Sequence, residues 1–242
     1  MHAVVDEREF EHFKRNSFFN LLWENLSFEE GEIWLCKIMQ SSPELVPYFE
    51  RFRTIDSVGD PRVFSYGESG FFSPATLRLI GLTGELKGKL GYFEKGRILQ
   101  IGAGQGNWCK ILSDAVGFKS YILVDLPEQL QLAKKCLEKW GVKDVSFFTP
   151  DELPNDAAYD LVISDMSFSE FNRQYQKLLF NKAILRSASG FILGHEFPKH
   201  FGVASLNVDQ LKERFGNAGK FACLEIQKPS EDRGDYLMYW KK

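Results

Sequence analysis

Apolar residues change their period along this chain, and the change divides it in two. Over residues 1 to about 90 the pattern is helical: Phe10, Phe13, Phe18-Phe19, Leu21-Leu22-Trp23 and Ile33-Trp34-Leu35 fall at short helical intervals, punctuated by Pro43, Pro47, Gly59-Asp60-Pro61 and Gly67. Side chains at these spacings ordinarily pack a core, and the same run could serve as a lid over a ligand. In Ser73-Pro74 a serine precedes proline at a first helical position, a good helix start. That helix is expected from Pro74 to about Leu82, with a stop near Gly84.

From Arg97 the apolar positions come in short uninterrupted runs: Ile98-Leu99-Gln100-Ile101, Tyr121-Ile122-Leu123-Val124, Val145-Ser146-Phe147-Phe148, Leu161-Val162-Ile163 and Phe191-Ile192-Leu193. Runs of this kind suit strands of a parallel sheet buried on both faces. Helical segments are expected between them at 106–116, 127–140 and 171–187. In the second, Leu130, Ala133, Leu137 and Trp140 recur at threes and fours, Pro127 suits the first turn and Gly141 the C-terminal cap. Alternation of strand and helix predicts an α/β fold with a doubly wound, mostly parallel, Rossmann-like sheet. Phe221–Ile226 and Tyr236–Trp240, separated by Pro229 and Gly234, read as a C-terminal antiparallel hairpin. Two parts are expected: a helical N-terminal cap or lid over 1–90, and a cofactor-binding domain over 91–242.

Composition narrows the classes. With 242 residues, 44% hydrophobic and 26% charged, the chain can bury a substantial core. A formal charge of -3 gives no footprint for a nucleic-acid backbone, so no nucleic-acid partner is expected. The acidic N-terminus and the absence of an apolar run of bilayer length point to a cytoplasmic protein without a membrane span; a homodimer stays open. Cys36, Cys109, Cys136 and Cys223 are scattered, as reduced thiols would be.

The first chemical signal is Gly102-Ala103-Gly104-Gln105-Gly106, directly after the first parallel strand. Glycines there let a ligand approach the backbone closely. Asp125, at the end of the second strand and 19 positions after Gly106, is placed to accept hydrogen bonds from ribose hydroxyls. A dinucleotide fingerprint would need its third glycine at 107, where Asn107 stands; the spacing here is G-x-G-x-G. S-adenosylmethionine is therefore favoured over NAD. Thr149 and Pro150, with Asp151, are candidates for the adenine pocket by position, and Leu126 and Ser164 complete the expected cofactor-binding set. Arg78 and Tyr66 are weaker candidates for the methionyl carboxylate.

Several stretches resemble a bacterial family of sugar O-methyltransferases within the class I S-adenosylmethionine-dependent fold. They are Ser73–Arg78, Ile101–Gly106, Val124-Asp125-Leu126-Pro127-Glu128, and Ile163-Ser164-Asp165-Met166-Ser167-Phe168-Ser169-Glu170-Phe171 with Arg173 and Gln174. The likeness runs from about residue 66 to 200. It implies methylation of a saccharide hydroxyl. Enzymes of the class commonly carry an acidic residue two positions before the first glycine; Gln100 stands there, so its cofactor contact would be an amide hydrogen bond.

Methyl transfer needs donor and acceptor aligned and the hydroxyl proton removed as charge develops. His195, after the fifth strand at the carboxyl edge of the sheet, is the expected base, with Glu196 and His200 as competitors; a structural loop histidine is the plain alternative. Glu170 and Asp165 could orient the acceptor, or Glu170 could be a helix N-terminal carboxylate with Ser167 or Ser169 as cap. No metal is expected, although Asp165, Glu196 and His195 offer ligands for magnesium. Three rivals stay open: methylation of a phenolic hydroxyl, a non-catalytic S-adenosylmethionine-binding partner protein, and an NAD-linked oxidoreductase, the last disfavoured by Asn107.

Overall fold

The computed structural model describes residues 6–91, 96–196, 202–219, 223–227 and 235–242, the backbone alone at 21–23 and 223–227. Two compact units are present. One comprises Met1–Gly88, Gly104–Gly117 and Gln131–Lys143; the other comprises Lys89–Ala103, Phe118–Leu130 and Asp144–Lys242.

The helical unit begins with α1 (Glu7–Glu11), α2 (Ser17–Trp23), α3 (Phe28–Ser41) and α4 (Phe49–Phe52), followed by two short antiparallel strands, β1 (Phe64–Ser65) and β2 (Phe71–Phe72). Sequence periodicity gave no sign of that pair, because two residues per strand show no alternation. Ile38, Leu45, Phe52, Ile55, Phe72, Leu77, Ile80 and Ile111 form one buried cluster. Helix α5 (Pro74–Leu90) starts as expected. The Ser73 hydroxyl accepts from the Thr76 amide at 3.1 Å, and the Asp56 carboxylate accepts from the Ser73 amide and the Thr76 hydroxyl at 2.8 and 2.7 Å.

The expected stop near Gly84 is corrected, because α5 continues to Leu90. A Cβ at Gly84 would lie 2.1 Å from the Ser42 hydroxyl, and one at Gly81 would lie 2.4 Å from the Trp34 ring. These glycines give neighbouring side chains room to approach the helix; they do not end it.

The second unit is a seven-stranded sheet of β3 (Arg97–Ile101), β4 (Ser120–Val124), β5 (Val145–Phe148), β6 (Tyr159–Asp165), β7 (Ser187–His195), β8 (Cys223–Gln227) and β9 (Asp235–Lys241). The order is β5-β4-β3-β6-β7-β9-β8. β3 to β7 run parallel, and β9 lies antiparallel to both β7 and β8. The C-terminal antiparallel pair is as expected; Phe221, Pro229 and Gly234 lie outside the described residues. Chain order runs outward from β3 to β5, then returns to β6 on the other side of β3, which makes a topological switch point there. The apolar runs fill the core: Leu99, Ile101, Val124, Val162, Phe168, Ile192 and Trp240 are buried in one cluster.

Helices α6 (Asn107–Ala115) and α7 (Pro127–Lys139) match expectation within a residue or two. The segment expected as one helix at 171–187 is α9 (Arg173–Lys182) and a 3₁₀ turn, Ile184–Arg186, with a short helix α8 (Ser167–Glu170) ahead of it. Asn172 separates α8 from α9 by capping α9 through the Tyr175 amide. Helix α10 (Val208–Ala218) was not foreseen, although Asn207 and Gln210 form a capping box at its start. Among the described residues no helix is long and apolar enough to cross a membrane.

Candidate functional site

At the carboxyl end of β3 the chain turns sharply. Gly102 has φ +89°, and a Cβ on it would lie 2.1 Å from the Ser167 hydroxyl, so only glycine serves there. Gly104 and Gly106 also have positive φ, +50° and +82°. Gly106 is the N-cap of α6 and provides no side-chain hydrogen bond to the helix amides.

The expected cofactor residues of the sheet unit are joined by hydrogen bonds. The Gln100 side chain is buried and makes two hydrogen bonds. Its Nε2 donates to the Gly102 carbonyl at 2.6 Å, and its Oε1 accepts from the Tyr121 hydroxyl at 2.6 Å. Gln100 thus braces the turn, and its second amide proton and second lone pair stay compatible with the expected cofactor contact. Asp125 Oδ2 accepts from the Ala103 amide and Oδ1 from the Leu126 amide, each at 2.7 Å. Two bonds to backbone fix the carboxylate plane, and a carboxylate has further lone pairs for a ligand's hydroxyls. Ser164 donates to the Ile101 carbonyl at 2.8 Å and accepts from the Phe168 amide at 3.0 Å, tying β3 to the start of α8. Leu126 leaves its apolar side chain exposed just beyond Asp125.

After β5, the Thr149 amide and hydroxyl both donate to the Glu152 carboxylate, at 2.9 and 2.8 Å, and these bonds lower the Glu152 pKa. Pro150 is buried. Lys182 holds the same loop by donating to the Asp151 and Leu153 carbonyls at 2.8 Å.

The candidate base is the last residue of β7. His195 Nε2 lies 3.2 Å from Glu170 Oε1, and the His195 amide donates to the Ser169 hydroxyl at 3.1 Å. These residues are 25 positions apart in sequence. The link between them is Met166, the N-cap of α8, at φ +63°. A non-glycine residue in that region stores strain, which collects at functional sites. The Met166 amide donates to the Leu193 carbonyl at 2.8 Å, so the strained turn fastens α8 to β7.

Neither Ser167 nor Ser169 caps α8, which corrects that expectation: the Ser169 hydroxyl donates backward to the Met166 carbonyl. Glu196 Oε1 accepts from the Val208 amide at 3.3 Å, the first amide of α10. It acts there as a helix N-terminal carboxylate. His200 lies outside the described residues. Among the described residues, no three potential metal-ligating side chains cluster.

Sequence reading missed a buried polar cluster in the helical unit. Lys14 and Glu24 are 1% and 5% exposed, with Nζ and Oε1 3.8 Å apart and no hydrogen bond to either atom. Burial raises the Glu24 carboxyl to about 7; Lys14 opposes the rise, Asp56 adds to it, and the Gln105 side chain opposes it. The only signal was two unlike charges ten residues apart among helical apolar positions, which is too common to read.

Comparison with known proteins now bears on this arrangement. Residues 98–186 match the family model described as "Methyltransferase domain", a little over a third of the chain. No curated protein matches. Among solved structures, an S-adenosylmethionine-dependent methyltransferase from Clostridium acetobutylicum is similar at 13% identity and TM-score 0.51, over 65% of this chain and 87% of that one. An O-methyltransferase family protein from Burkholderia thailandensis is similar at 18% identity and TM-score 0.50, over 69% of this chain and 57% of that one. An rRNA methylase from Streptococcus thermophilus is similar at 12% identity and TM-score 0.50, over 68% of this chain and 96% of that one. At such identities the structures share a fold, the Rossmann-like methyltransferase fold.

Residues 98–186 form a methyltransferase domain, with S-adenosylmethionine as its cofactor, and the glycine turn and the Asp125 carboxylate lie within it. The residues fit that group: Gly102 admits no side chain, Gly104 has open space where a Cβ would stand, and the Asp125 carboxylate is held rigid beside the turn.

Proposed function

We propose that the protein is an O-methyltransferase acting on a hydroxyl of a sugar or glycosylated small molecule, with His195 as general base and Glu170 orienting it. The His195–Glu170 contact at 3.2 Å, at the carboxyl edge of the sheet, carries the reading. When bound, S-adenosylmethionine supplies an electrophilic methyl group on its sulfonium. The protein's own part is binding, alignment and movement of one proton.

Asp125 would hold the ribose hydroxyls, and the backbone at Gly102 and Ala103 would hold the cofactor beside it. With Nε2–H donated to Glu170, the lone pair of His195 is on Nδ1, and that nitrogen takes the acceptor's hydroxyl proton. Glu170 then faces an imidazolium and stabilises it. Glu196 is engaged with the first amide of α10. Thr149, Pro150, Leu126 and Ser164 complete the cofactor pocket in this reading. The resemblance at Val124–Glu128 and Ile163–Phe171 supports a saccharide acceptor over a phenol.

The test is methyl transfer to panels of nucleotide sugars, oligosaccharides and phenols by the purified protein and its His195→Ala variant. General-base help is worth about a hundredfold or more. A saccharide product whose rate falls at least that far in the variant, with S-adenosylmethionine binding unchanged, is the expected result. Turnover of His195→Ala within about threefold of the parent would remove the histidine from the mechanism, and products from phenols alone would replace the acceptor.

A further inference from the structure

Arg173, Lys177 and Asn181 recur every four residues on α9 and so stand on one face of that helix. Arg214 and Asn217 line the facing side of α10, and the two helices border a furrow of about 490 Å³, within the size range of ligand sites. Phe180 is buried beneath Arg214, whose guanidinium lies 5.2 Å from its ring centre.

The lining holds three cations against one carboxylate, Glu213, on a chain whose formal charge is -3. Among the described residues, none of the three forms an ion pair. Beyond Leu185 the surface continues past a fourth cation, Arg186. Gathering three cations beside a single carboxylate costs stability that a bound anion would return.

The head of the furrow is tied to the catalytic elements. The Gln176 side chain donates to the Phe168 carbonyl of α8 at 2.9 Å and accepts from the Leu206 amide at 2.6 Å, while the Arg173 amide donates to the Ala204 carbonyl at 2.8 Å. Arg173 follows Glu170 by three residues. From Arg173 to Asn181 the helix carries the furrow about 12 Å further, at roughly 1.5 Å per residue.

We propose that this furrow binds an anionic stretch of the acceptor, carboxylate or phosphate groups carried on an oligosaccharide, and so presents a hydroxyl at the head of the furrow to His195. The proposal rests on the saccharide reading above and names the acceptor's charge. Arg173 and Lys177 take the anionic groups.

Calorimetry separates the two readings. Oligogalacturonate, a phosphorylated oligosaccharide and a neutral dextran oligosaccharide are titrated into the full chain with S-adenosylmethionine present. The same titrations are made into Lys177→Glu and Arg173→Gln, surface changes that leave the glycine turn intact. The expected result is binding of one or both anionic probes, weakened by added salt and by about tenfold or more in Lys177→Glu, with dextran silent and S-adenosylmethionine affinity within twofold. Which anionic probe binds tells carboxylate from phosphate. Failure of both probes overturns the proposal, as does binding indifferent to the substitutions. A single-stranded oligoribonucleotide bound more tightly at the same residues overturns it in favour of RNA. If neutral saccharides are methylated while the anionic probes do not bind, the furrow fails alone; if the probes bind but no saccharide is methylated, the acceptor reading fails.

Discussion

Glu170 tests how far orientation matters at a single residue. Its side chain is 57% exposed, against 16% for His195, so solvent screens the charge and the contact is worth at most about 1 kcal/mol. Glu170→Gln should therefore lower kcat by about two- to fivefold, far less than His195→Ala, with S-adenosylmethionine affinity unchanged. A hundredfold loss would show that Glu170 touches the acceptor directly. Gly102 makes the opposite case, a residue with no side chain on which a site depends. Ala there must adopt φ +89°, at about 1–3 kcal/mol, and push its Cβ into the Ser167 hydroxyl. Gly102→Ala should lower the thermal midpoint by several degrees and weaken S-adenosylmethionine binding, with Ser167→Gly restoring only the part due to the clash. Full restoration would show that backbone strain is negligible. The glycines and Asp125 were legible in the sequence because their chemistry is local to a turn and a strand end. The Gln100–Tyr121 brace and the His195–Glu170 contact were not, since each joins residues more than twenty positions apart through strand register.

Elements were read well where one period governed them and poorly where packing did. The five apolar runs became the five parallel strands: β3, β4, β6 and β7 are largely buried, while β5, at the edge of the sheet, is half-buried with Ser146 exposed. Helix α5 was cut short because Gly84 looks like a stop until Ser42 is known to press against it, a tertiary fact that no local window contains. That distinction predicts two outcomes from one kind of substitution. Gly88 is exposed in the same helix, with nothing within 4 Å of a Cβ placed on it, so Gly88→Ala should stabilise by about 0.5–1 kcal/mol through helix propensity. Gly84→Ala should destabilise, because its Cβ would lie 2.1 Å from Ser42 Oγ. Equal effects in denaturant titrations would mean that the close approach of Ser42 is not what requires glycine.

Across the whole molecule, the pH dependence of folding reports the buried pair. Burial raises the Glu24 carboxyl from 4.5 to about 7, so between those values the folded chain holds a proton that the unfolded chain has released. Stability from this group is complete below about 4.5 and is lost as pH rises to about 7, by up to ~3 kcal/mol. The lowered carboxyls of Asp60, Glu44 and Glu152 act in the other direction and at lower pH, their contribution vanishing as pH falls below the usual carboxylate range. Stability should therefore peak near pH 5 and decline toward pH 8. Replacing both partners, Lys14→Met with Glu24→Leu, removes the titrating group without leaving a buried charge alone, and the slope between pH 5 and 8 should flatten. Lys14→Met alone removes the cation that holds the carboxyl down, so the decline should continue past pH 7. Thermal midpoints measured across this range that are equally steep in the double variant would place the titration elsewhere. Glu24 and Lys14 would then be an ion pair fully charged at every pH at which the protein folds.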